Sequence, residues 1–324
     1  MEENTEQRLD LTLFSEKIQE LKERIASVVV GQEQTVDLVL TAVLANGHVL
    51  IEGVPGVAKT LLARLTARLI DADFSRIQFT PDLMPSDVLG TTVFNMKTNG
   101  FDFHQGPIFA DIVLVDEINR APAKTQAALF EVMEERQVSI DGTTHRMGEL
   151  YTILATQNPV EQEGTYKLPE AQLDRFLMKI TMDYPSLEEE VNILERHHTN
   201  AALVKLEDVP PVLTKEELLS LRALMGRVFV DRTLLQYIAL IVQQTRTSKA
   251  VYLGASPRAS VAMLQSSKAY ALLQGRDFVT PEDIKFVAPY VLQHRLILTA
   301  EAEMEGYSPV KVTQRLIDKV EVPK

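Results

Sequence analysis

The sequence lacks cysteine altogether, which excludes a disulfide framework, a thiol nucleophile and a thiolate zinc site. It also lacks long apolar runs: none approaches the roughly 18 residues that a membrane-spanning helix requires. The first residues, MEENTEQRLD, are acidic and polar and contain no apolar signal-peptide core. These absences predict a cytoplasmic protein without a membrane span.

Basic residues are in a minority. The 33 Lys and Arg residues face 45 Asp and Glu residues, so the formal net charge is −12. No strong overall field therefore attracts the chain to nucleic acid or to an anionic membrane. With 45% hydrophobic and 24% charged residues, the composition is that of an ordinary globular protein, and 324 residues suit two domains of roughly 150 residues each.

Five short apolar runs alternate with helical patterns in the first part of the chain. The runs are HVLIEG (48–53), DFSRIQFT (73–80), DIVLVDE (111–117), YTILATQN (151–158) and FLMKITMD (176–183). Helical patterns cover 60–70 and 123–136. Strands that alternate with helices predict a parallel sheet covered on both faces, so we expect an α/β domain over residues 1–186.

Residues 1–47 are predicted to be mainly helical. Phe14, Ile18, Leu21 and Ile25 recur on one face, and Ser15 is a plausible N-cap.

Two hairpins interrupt the α/β pattern. Asn99-Gly100 and Asp141-Gly142 each lie between alternating runs, and both dipeptides favour tight turns that need positive φ at the two central residues. From Leu187 onward we find no strand series. Instead, Thr214 and Thr280 open capping-box-like helix starts, which predicts an all-α domain over 187–324.

The segment from Gly53 to Thr60, GVPGVAKT, has the features of a phosphate-binding loop. It follows a strand and precedes a helix, and Lys59 and Thr60 have the spacing needed to reach terminal phosphates and Mg²⁺. Ala58 replaces the last glycine of the general pattern. A methyl group is tolerated at that helix start if φ stays negative.

Two further strand ends carry polar groups. The strand over 112–115 delivers Asp116, a candidate Mg²⁺ ligand, and Glu117, a candidate base for the attacking water. The next strand delivers Asn158, which could orient that water. Taken singly, the acidic pair also fits a solvated strand end and Asn158-Pro159 fits a turn.

Together, GVPGVAKT, LVDEINRAP, ATQNP and LPEAQLDRF resemble the AAA+ ATPases, specifically the MoxR family, over about Val30 to Arg295. The resemblance implies an α/β AAA+ P-loop NTPase core with two hairpin inserts, a helical lid, and Mg²⁺-dependent ATP hydrolysis. It implies nucleotide contacts at Val30, Gly31, Gln32, Gly53, Val54, Pro55, Gly56, Val57, Ala58, Lys59, Thr60 and Leu61, with Thr60 and Asp116 on the metal.

The resemblance also assigns roles to polar residues that bear on hydrolysis. Glu117 corresponds to the catalytic glutamate, Asn158 to sensor 1, Arg175 to the arginine finger and Arg258 to sensor 2. Two arginines suit phosphoryl transfer, because guanidinium groups follow the charge that spreads over the γ-phosphate oxygens. Either arginine could instead be a structural ion-pair partner.

The resemblance further implies a homo-oligomeric ring, expected to be a hexamer, and partners that carry von Willebrand factor A domains. Two other functions remain open at this point. A nucleotide-gated switch with little turnover is disfavoured by Glu117, Asn158, Arg175 and Arg258 together. A nucleic-acid-linked AAA+ ATPase is disfavoured by the acidic charge and the lack of a basic run.

Overall fold

A computed structural model describes residues 11–159, 165, 166, 168–199, 206 and 209–323. The first nine strands are β1 (Val49–Gly53), β2 (Phe74–Gln78), β3 (Gly90–Asn95), β4 (Gly100–Gln105), β5 (Ile112–Asp116), β6 (Gln137–Ile140), β7 (Thr143–Arg146), β8 (Thr152–Gln157) and β9 (Met178–Met182). The helices among them are α1 (Thr12–Ala26), α2 (Glu33–Leu44), α3 (Lys59–Leu69), α4 (Pro85–Leu89), α5 (Ala123–Glu135) and α6 (Glu170–Leu173).

The predicted parallel sheet is present. Its five strands lie in the order β2-β5-β8-β1-β9, and every neighbouring pair is parallel. All five residues of β5, which lies between β2 and β8, are buried, as the uninterrupted apolar run indicates. Because the strands are parallel, the carboxyl ends of β1, β5 and β8 meet at one edge, and this edge carries the phosphate loop.

The amphipathic first helix forms, and Ile18, Leu21 and Ile25 are buried on its inner face. The N-cap prediction is wrong. The helix begins at Thr12, and Ser15 lies inside its first turn, where its backbone N–H donates to the Leu11 carbonyl at 2.8 Å. The apolar repeat therefore extends one turn further back than Ser15 suggested. The part of the predicted helical region over residues 1–10 lies outside the described residues.

Both hairpins form, as β3–β4 and β6–β7. Asp141 and Gly142 make the predicted two-residue turn, with φ of 49° and 79°. The prediction of a tight turn at Asn99-Gly100 is wrong. Gly100 is a strand residue that pairs with Asn95, and residues 96–99 form a longer loop. The Asn95 side chain supports that loop: its oxygen accepts the Lys97 N–H at 2.9 Å, and its amide donates to Asp102 at 2.7 Å.

The remainder of the chain is mainly helical. Its helices are α7 (Leu187–His198), α8 (Lys215–Leu224), α9 (Arg232–Thr247), α10 (Pro257–Leu273), α11 (Pro281–Leu292), α12 (Ala300–Met304) and α13 (Pro309–Asp318). The capping boxes at Thr214 and Thr280 are confirmed. A short antiparallel ribbon, β10 (Val251–Leu253) with β11 (Ile297–Leu298), joins these helices. No helix within the described ranges is long and apolar enough to cross a membrane.

One apolar cluster extends from α1 and α2 into the C-terminal helices. Helix α10 packs on α2, and α11 packs on the edge strand β9. The division at residue 186 falls between β9 and α7 and remains a prediction. The helices of the lid therefore pack on β9, which is the outermost strand of the sheet.

Two buried histidines lie in this core. His48 accepts the Ile153 N–H on Nδ1 at 3.0 Å, and its Nε2 lies 3.2 Å from the Met133 carbonyl, to which it donates. Burial, with a smaller contribution from nearby Arg136, lowers the pKa of His48 from 6.5 to about 3. Burial also lowers the pKa of His294 well below its ordinary value. Both side chains are neutral in the folded protein at neutral pH.

This pair predicts acid sensitivity. The unfolded chain binds protons at both histidines once the pH falls below 6.5, whereas the folded chain does not, so stability decreases as the pH falls. His48 alone is expected to remove about 2 kcal/mol of the unfolding free energy between about pH 7 and pH 5, and His294 adds to the loss. Urea unfolding at a series of pH values between about 7 and 5 measures this loss of unfolding free energy. An unfolding free energy that stays constant would contradict the neutral state of the two histidines. His48→Gln should reduce the slope of unfolding free energy against pH by the contribution of about one bound proton.

Candidate nucleotide-binding site

The predicted phosphate loop joins β1 to α3 at the carboxyl edge of the sheet. A Cβ atom on Gly53 would lie 2.8 Å from the Met182 carbonyl oxygen, so the approach of β9 requires glycine there. Gly56 has a φ of 90°, and a Cβ on it would meet no atom within 4 Å. The tip of the loop is thus exposed, with open space beside it that a ligand can occupy.

Ala58 does not meet the condition of negative φ. Its φ is 62° and its ψ is 21°, so it occupies the left-handed region as the N-cap of α3. Its carbonyl already accepts the first helical hydrogen bond, from Leu62 N–H at 2.9 Å. The abrupt change from loop to helix therefore takes place at this residue, and the methyl group adds strain there.

We expect Ala58→Gly to raise the unfolding free energy by about 0.5–1 kcal/mol, because relief of left-handed strain exceeds the entropy that glycine adds to the unfolded chain. Chemical denaturation measures the change. Ala127→Gly is the matched control, since Ala127 is exposed within α5, where glycine costs about 1 kcal/mol. A loss of stability of similar size in both variants would contradict the left-handed conformation of Ala58.

The lysine of the loop folds back over it. Lys59 Nζ donates to the Gly53 carbonyl and, at 3.2 Å, to the Val54 carbonyl. The ammonium group therefore lies above the loop, where phosphate oxygens can replace these carbonyls as its partners. Thr60 follows in the first turn of α3, half-buried beside it.

Asp116 ends β5 and is buried in a hydrogen-bonded network. One carboxylate oxygen accepts the Thr156 hydroxyl at 3.0 Å, and the other lies 2.6 Å from Arg76 Nε. The Thr156 oxygen in turn accepts the Glu117 N–H at 3.0 Å. One threonine of β8 thus orients the carboxylate of Asp116 and fixes the backbone of Glu117.

Glu117 marks a sharp change of chain direction. Its φ is 57°, a left-handed conformation that is uncommon for a non-glycine residue. Its carboxylate pairs with Arg120 at 2.9 Å, across a short 3-10 helix (Ile118–Arg120). Asn158 follows β8 directly and is buried. The structure therefore places Asp116, Glu117 and Asn158 at the same edge as Lys59.

Val30, Gly31 and Gln32 lie between α1 and α2, against the start of α7. Gly31 has a φ of 70°, and a Cβ there would lie within 2.4 Å of the Glu189 side chain. Glu189 belongs to the first turn of α7, shortly after β9 ends at Met182 beside Gly53. The segment is therefore placed near the loop edge, as a contact for a nucleotide base requires.

The two predicted arginines lie at the opposite end of the sheet. Arg175 precedes β9, so it lies near the amino ends of the strands, about 16 Å of strand away from the phosphate loop. Arg258, in the first turn of α10, lines the same cleft, of about 530 Å³, as residues 46–48 ahead of β1. The structure thus brings these two arginines together and keeps them apart from Lys59.

Glu134 connects the two arginines. Its carboxylate lies 3.1 Å from Arg175 Nε and 3.1 Å from an Arg258 terminal nitrogen. The Arg175 guanidinium also lies 5.9 Å from the centre of the Phe130 ring, one turn earlier on α5. Both arginines are partly exposed, so they form a cationic surface around one carboxylate.

Three residues of this arrangement were not predicted from the sequence. Arg76 and Glu134 carry no local signal, because their partners lie 40 or more residues away in the chain. Thr156 could have been found, since it lies in β8 two residues before Asn158, and side chains two residues apart in extended chain point the same way.

The residues fit Mg·ATP. Backbone N–H groups of a glycine-containing loop, the N-terminus of an eleven-residue helix and a lysine suit phosphates. Thr60 and Asp116 offer the hard oxygen ligands that Mg²⁺ prefers. In the described part of the chain, no group of three or more His, Asp or Glu side chains could hold a metal.

Comparisons with known proteins agree with this geometry. Residues 48–178 match the model of the ATPase family associated with various cellular activities (AAA), and residues 243–318 match the AAA lid domain. Chaperone MoxR1 of Mycobacterium tuberculosis is 45% identical over 93% of this chain and 81% of its own. Protein MoxR of Methylorubrum extorquens is 31% identical over 91% of each chain.

A solved structure supports the same architecture. The crystal structure of a candidate ATPase from Cytophaga hutchinsonii matches with a TM-score of 0.88 and 41% identity, and the match covers 97% of each chain. The five-stranded parallel core and the helical lid of the present structure therefore have a close structural counterpart.

Proposed function

The chain belongs to the MoxR family of AAA+ ATPases, and we propose that it hydrolyses Mg·ATP in a homo-oligomeric ring whose active sites lie between subunits. The observation that carries this proposal is the separation of two half-sites on one subunit. Lys59, Asp116 and Glu117 lie at the carboxyl edge of the sheet, whereas Arg175 and Arg258 lie at its amino end. A complete site then needs two copies of the chain.

The first half-site binds nucleotide and prepares the water. The loop from Gly53 to Thr60 binds the phosphates, with Leu61 behind it, and Lys59 exchanges its loop carbonyls for phosphate oxygens. Thr60 and Asp116 would hold Mg²⁺, which would supply neutralisation of the phosphate charge. Glu117 accepts a proton from the attacking water, and the Asn158 amide orients that water.

The second half-site comes from a neighbouring subunit. Guanidinium groups stabilise the charge that develops on the γ-phosphate oxygens, and they do so best in a site from which water is excluded. Arg175 is the proposed finger, and Arg258, which shares Glu134 with it, approaches from the same neighbour. Closed rings arise from such head-to-tail contacts when the rotation between subunits closes, as in the proposed hexamer.

The test is phosphate release from Mg·ATP at increasing protein concentration, with Lys59→Ala as the inactive baseline and sizing of each sample. We expect turnover per subunit to rise over the same concentrations at which the oligomer forms. A sample that remains monomeric and still turns over at a constant rate per subunit would contradict a shared site.

We further propose that hydrolysis drives chaperone-like remodelling of partner proteins, including proteins with a von Willebrand factor A domain, in the cytoplasm. The name of the mycobacterial relative and the family resemblance support this proposal. A purified domain of that class should change the ATP turnover of the ring when titrated into it. Binding without any change in turnover would argue for a passive scaffold instead.

A nucleotide-gated switch is the second candidate. The pairing of Glu117 with Arg120 favours it, because Arg120 competes with the attacking water for the same carboxylate. ATP binding without phosphate release, at concentrations where the ring is assembled, would identify the switch. A nucleic-acid-linked ATPase would instead show salt-sensitive retention on DNA.

A further inference from the structure

The end of helix α11 attaches the lid to the segment that carries Arg175. Gln293, His294 and Arg295 follow the helix directly, and all three side chains are almost fully buried. Each donates to a backbone carbonyl between residues 174 and 179: Gln293 to Lys179 at 2.5 Å, His294 to Phe176 at 3.1 Å, and Arg295 to several. We call these three residues the lid anchor.

Arg295 makes most of these contacts. Its Nε lies 2.6 Å from the Asp174 carboxylate, and one terminal nitrogen donates to the Asp174 carbonyl at 3.2 Å and to the Phe176 carbonyl at 2.7 Å. The other donates to the Leu177 carbonyl at 3.2 Å and to the Val291 carbonyl in its own helix. Residues on both sides of Arg175 are thereby held by one guanidinium group.

Burial of this arginine is costly unless its donors are satisfied. Desolvation lowers the pKa of Arg295, while the Asp174 carboxylate opposes that shift. A guanidinium group offers five donors in a rigid plane, and it can therefore satisfy a carboxylate and several carbonyls at once, which an ammonium group cannot. The contact is thus built for arginine and defines the backbone path from 174 to 177.

The lid anchor lies where β9 begins. β9 is an edge strand, so one row of its backbone groups has no partner strand. The lid anchor contacts β9 itself only at the Lys179 carbonyl, and its other contacts are with the segment that leads into the strand. A shift of the lid relative to the sheet would therefore pull directly on the segment that carries Arg175.

We propose that Arg295 is a positioning residue that sets the location of Arg175 for the neighbouring subunit and links it to the position of the lid. This inference rests on the proposed function, in which Arg175 acts on a neighbour's nucleotide. Arg258 begins α10, which packs against α11. The lid thus carries one arginine of the second half-site and positions the other.

The variant for the test is Arg295→Lys, which keeps the charge and loses the planar donors. In a homomeric ring we expect turnover to fall by about ten- to a hundredfold, the effect of about 1 Å of misplacement. The KM for ATP should stay within about twofold, because the first half-site is untouched. Arg276→Lys is the matched control: Arg276 pairs with buried Asp283 at 2.8 and 2.5 Å within the lid, away from β9. It should lower stability and leave turnover unchanged.

Mixed rings give a measurement that a merely structural role would not change. Arg295→Lys subunits are mixed with excess Glu117→Gln subunits, which cannot hydrolyse ATP but present an intact Arg175. We expect turnover per Arg295→Lys subunit to rise at least fivefold, because its own Glu117 then receives a correctly placed finger. The Arg175→Ala variant in the same mixture tests the underlying site between subunits.

The outcomes separate the two proposals. Rescue of Arg175→Ala without rescue of Arg295→Lys overturns the positioning role and leaves the shared site intact. Absence of rescue in both mixtures overturns the shared site. Wild-type turnover in homomeric Arg295→Lys also overturns the positioning role. If Arg295→Lys fails to assemble, Asp174→Asn removes its carboxylate partner while the carbonyl contacts remain, and the same rescue is required of it.

Discussion

Arg175→Ala is expected to lower ATP turnover by about a thousandfold or more, the contribution that arginine fingers make to phosphoryl transfer. The guanidinium lies at the amino end of the sheet, far from its own Lys59, so the loss should appear in hydrolysis and not in nucleotide binding by the same subunit. Single-turnover phosphate release and equilibrium binding of a fluorescent ATP analogue separate the two effects. Binding affinity should remain within about threefold, because uniform ground-state contacts are unchanged.

A matched control is available on the lid. Arg232 is an exposed arginine at the start of α9, and Arg232→Ala should retain wild-type turnover. Arg175→Lys separates charge from shape. Because a lysine presents a point charge instead of a planar fork, we expect it to recover only a small part of the activity. Full activity in Arg175→Lys would show that Arg175 contributes only charge, and full activity in Arg175→Ala would remove the finger assignment.

The second large effect is expected at Glu117. Glu117→Gln keeps the side-chain shape and removes the proton acceptor, so turnover should fall by about 10²- to 10⁴-fold. Mg·ATP should still bind, because Lys59, Thr60 and Asp116 are unchanged. The variant should therefore accumulate bound, unhydrolysed ATP. Rapid gel filtration followed by quantification of the nucleotide that stays with the protein detects it.

Glu216→Gln is the control for the loss of one carboxylate, since Glu216 is exposed in the first turn of α8. It should leave turnover unchanged. If Glu117→Gln binds no ATP, the residue contributes to the binding site itself. If it turns over normally, the water is activated by another group, and the left-handed backbone at Glu117 serves only the turn after β5.

Local chemistry explains which parts of this molecule are predictable from sequence. The β1–loop–α3 unit follows from an apolar run, two glycines and a lysine within about twelve residues, and the β6–β7 turn follows from Asp141-Gly142. The same reasoning fails where a dipeptide is judged without its partner strand. Asn99-Gly100 has the composition of a tight turn, yet the last pair of the β3–β4 hairpin joins Asn95 to Gly100. Gly100 is therefore a strand residue, and residues 96–99 form the loop.

The backbone angle at Ala58 and the network around Arg175 are not predictable in this way. Ala58 adopts positive φ because the loop and α3 meet at a fixed angle, which depends on the packing of both elements. Glu134 and Arg295 reach Arg175 and Asp174 across 41 and 121 residues of sequence. The resemblance to the AAA+ family identifies the two arginines, but only the fold reveals the shared carboxylate and the lid anchor.

The shared carboxylate of Glu134 has a consequence for how subunits meet. In the proposed ring, these two guanidinium groups face the negative charge of the ATP that a neighbouring subunit would carry. Attraction between such partly exposed charges is screened over a Debye length of about 10 Å at 0.1 M salt. The same carboxylate competes with the γ-phosphate for both arginines. Ionic strength should therefore control how readily a nucleotide-loaded ring closes. Ring closure would also require the γ-phosphate to replace the Glu134 carboxylate as the partner of both arginines.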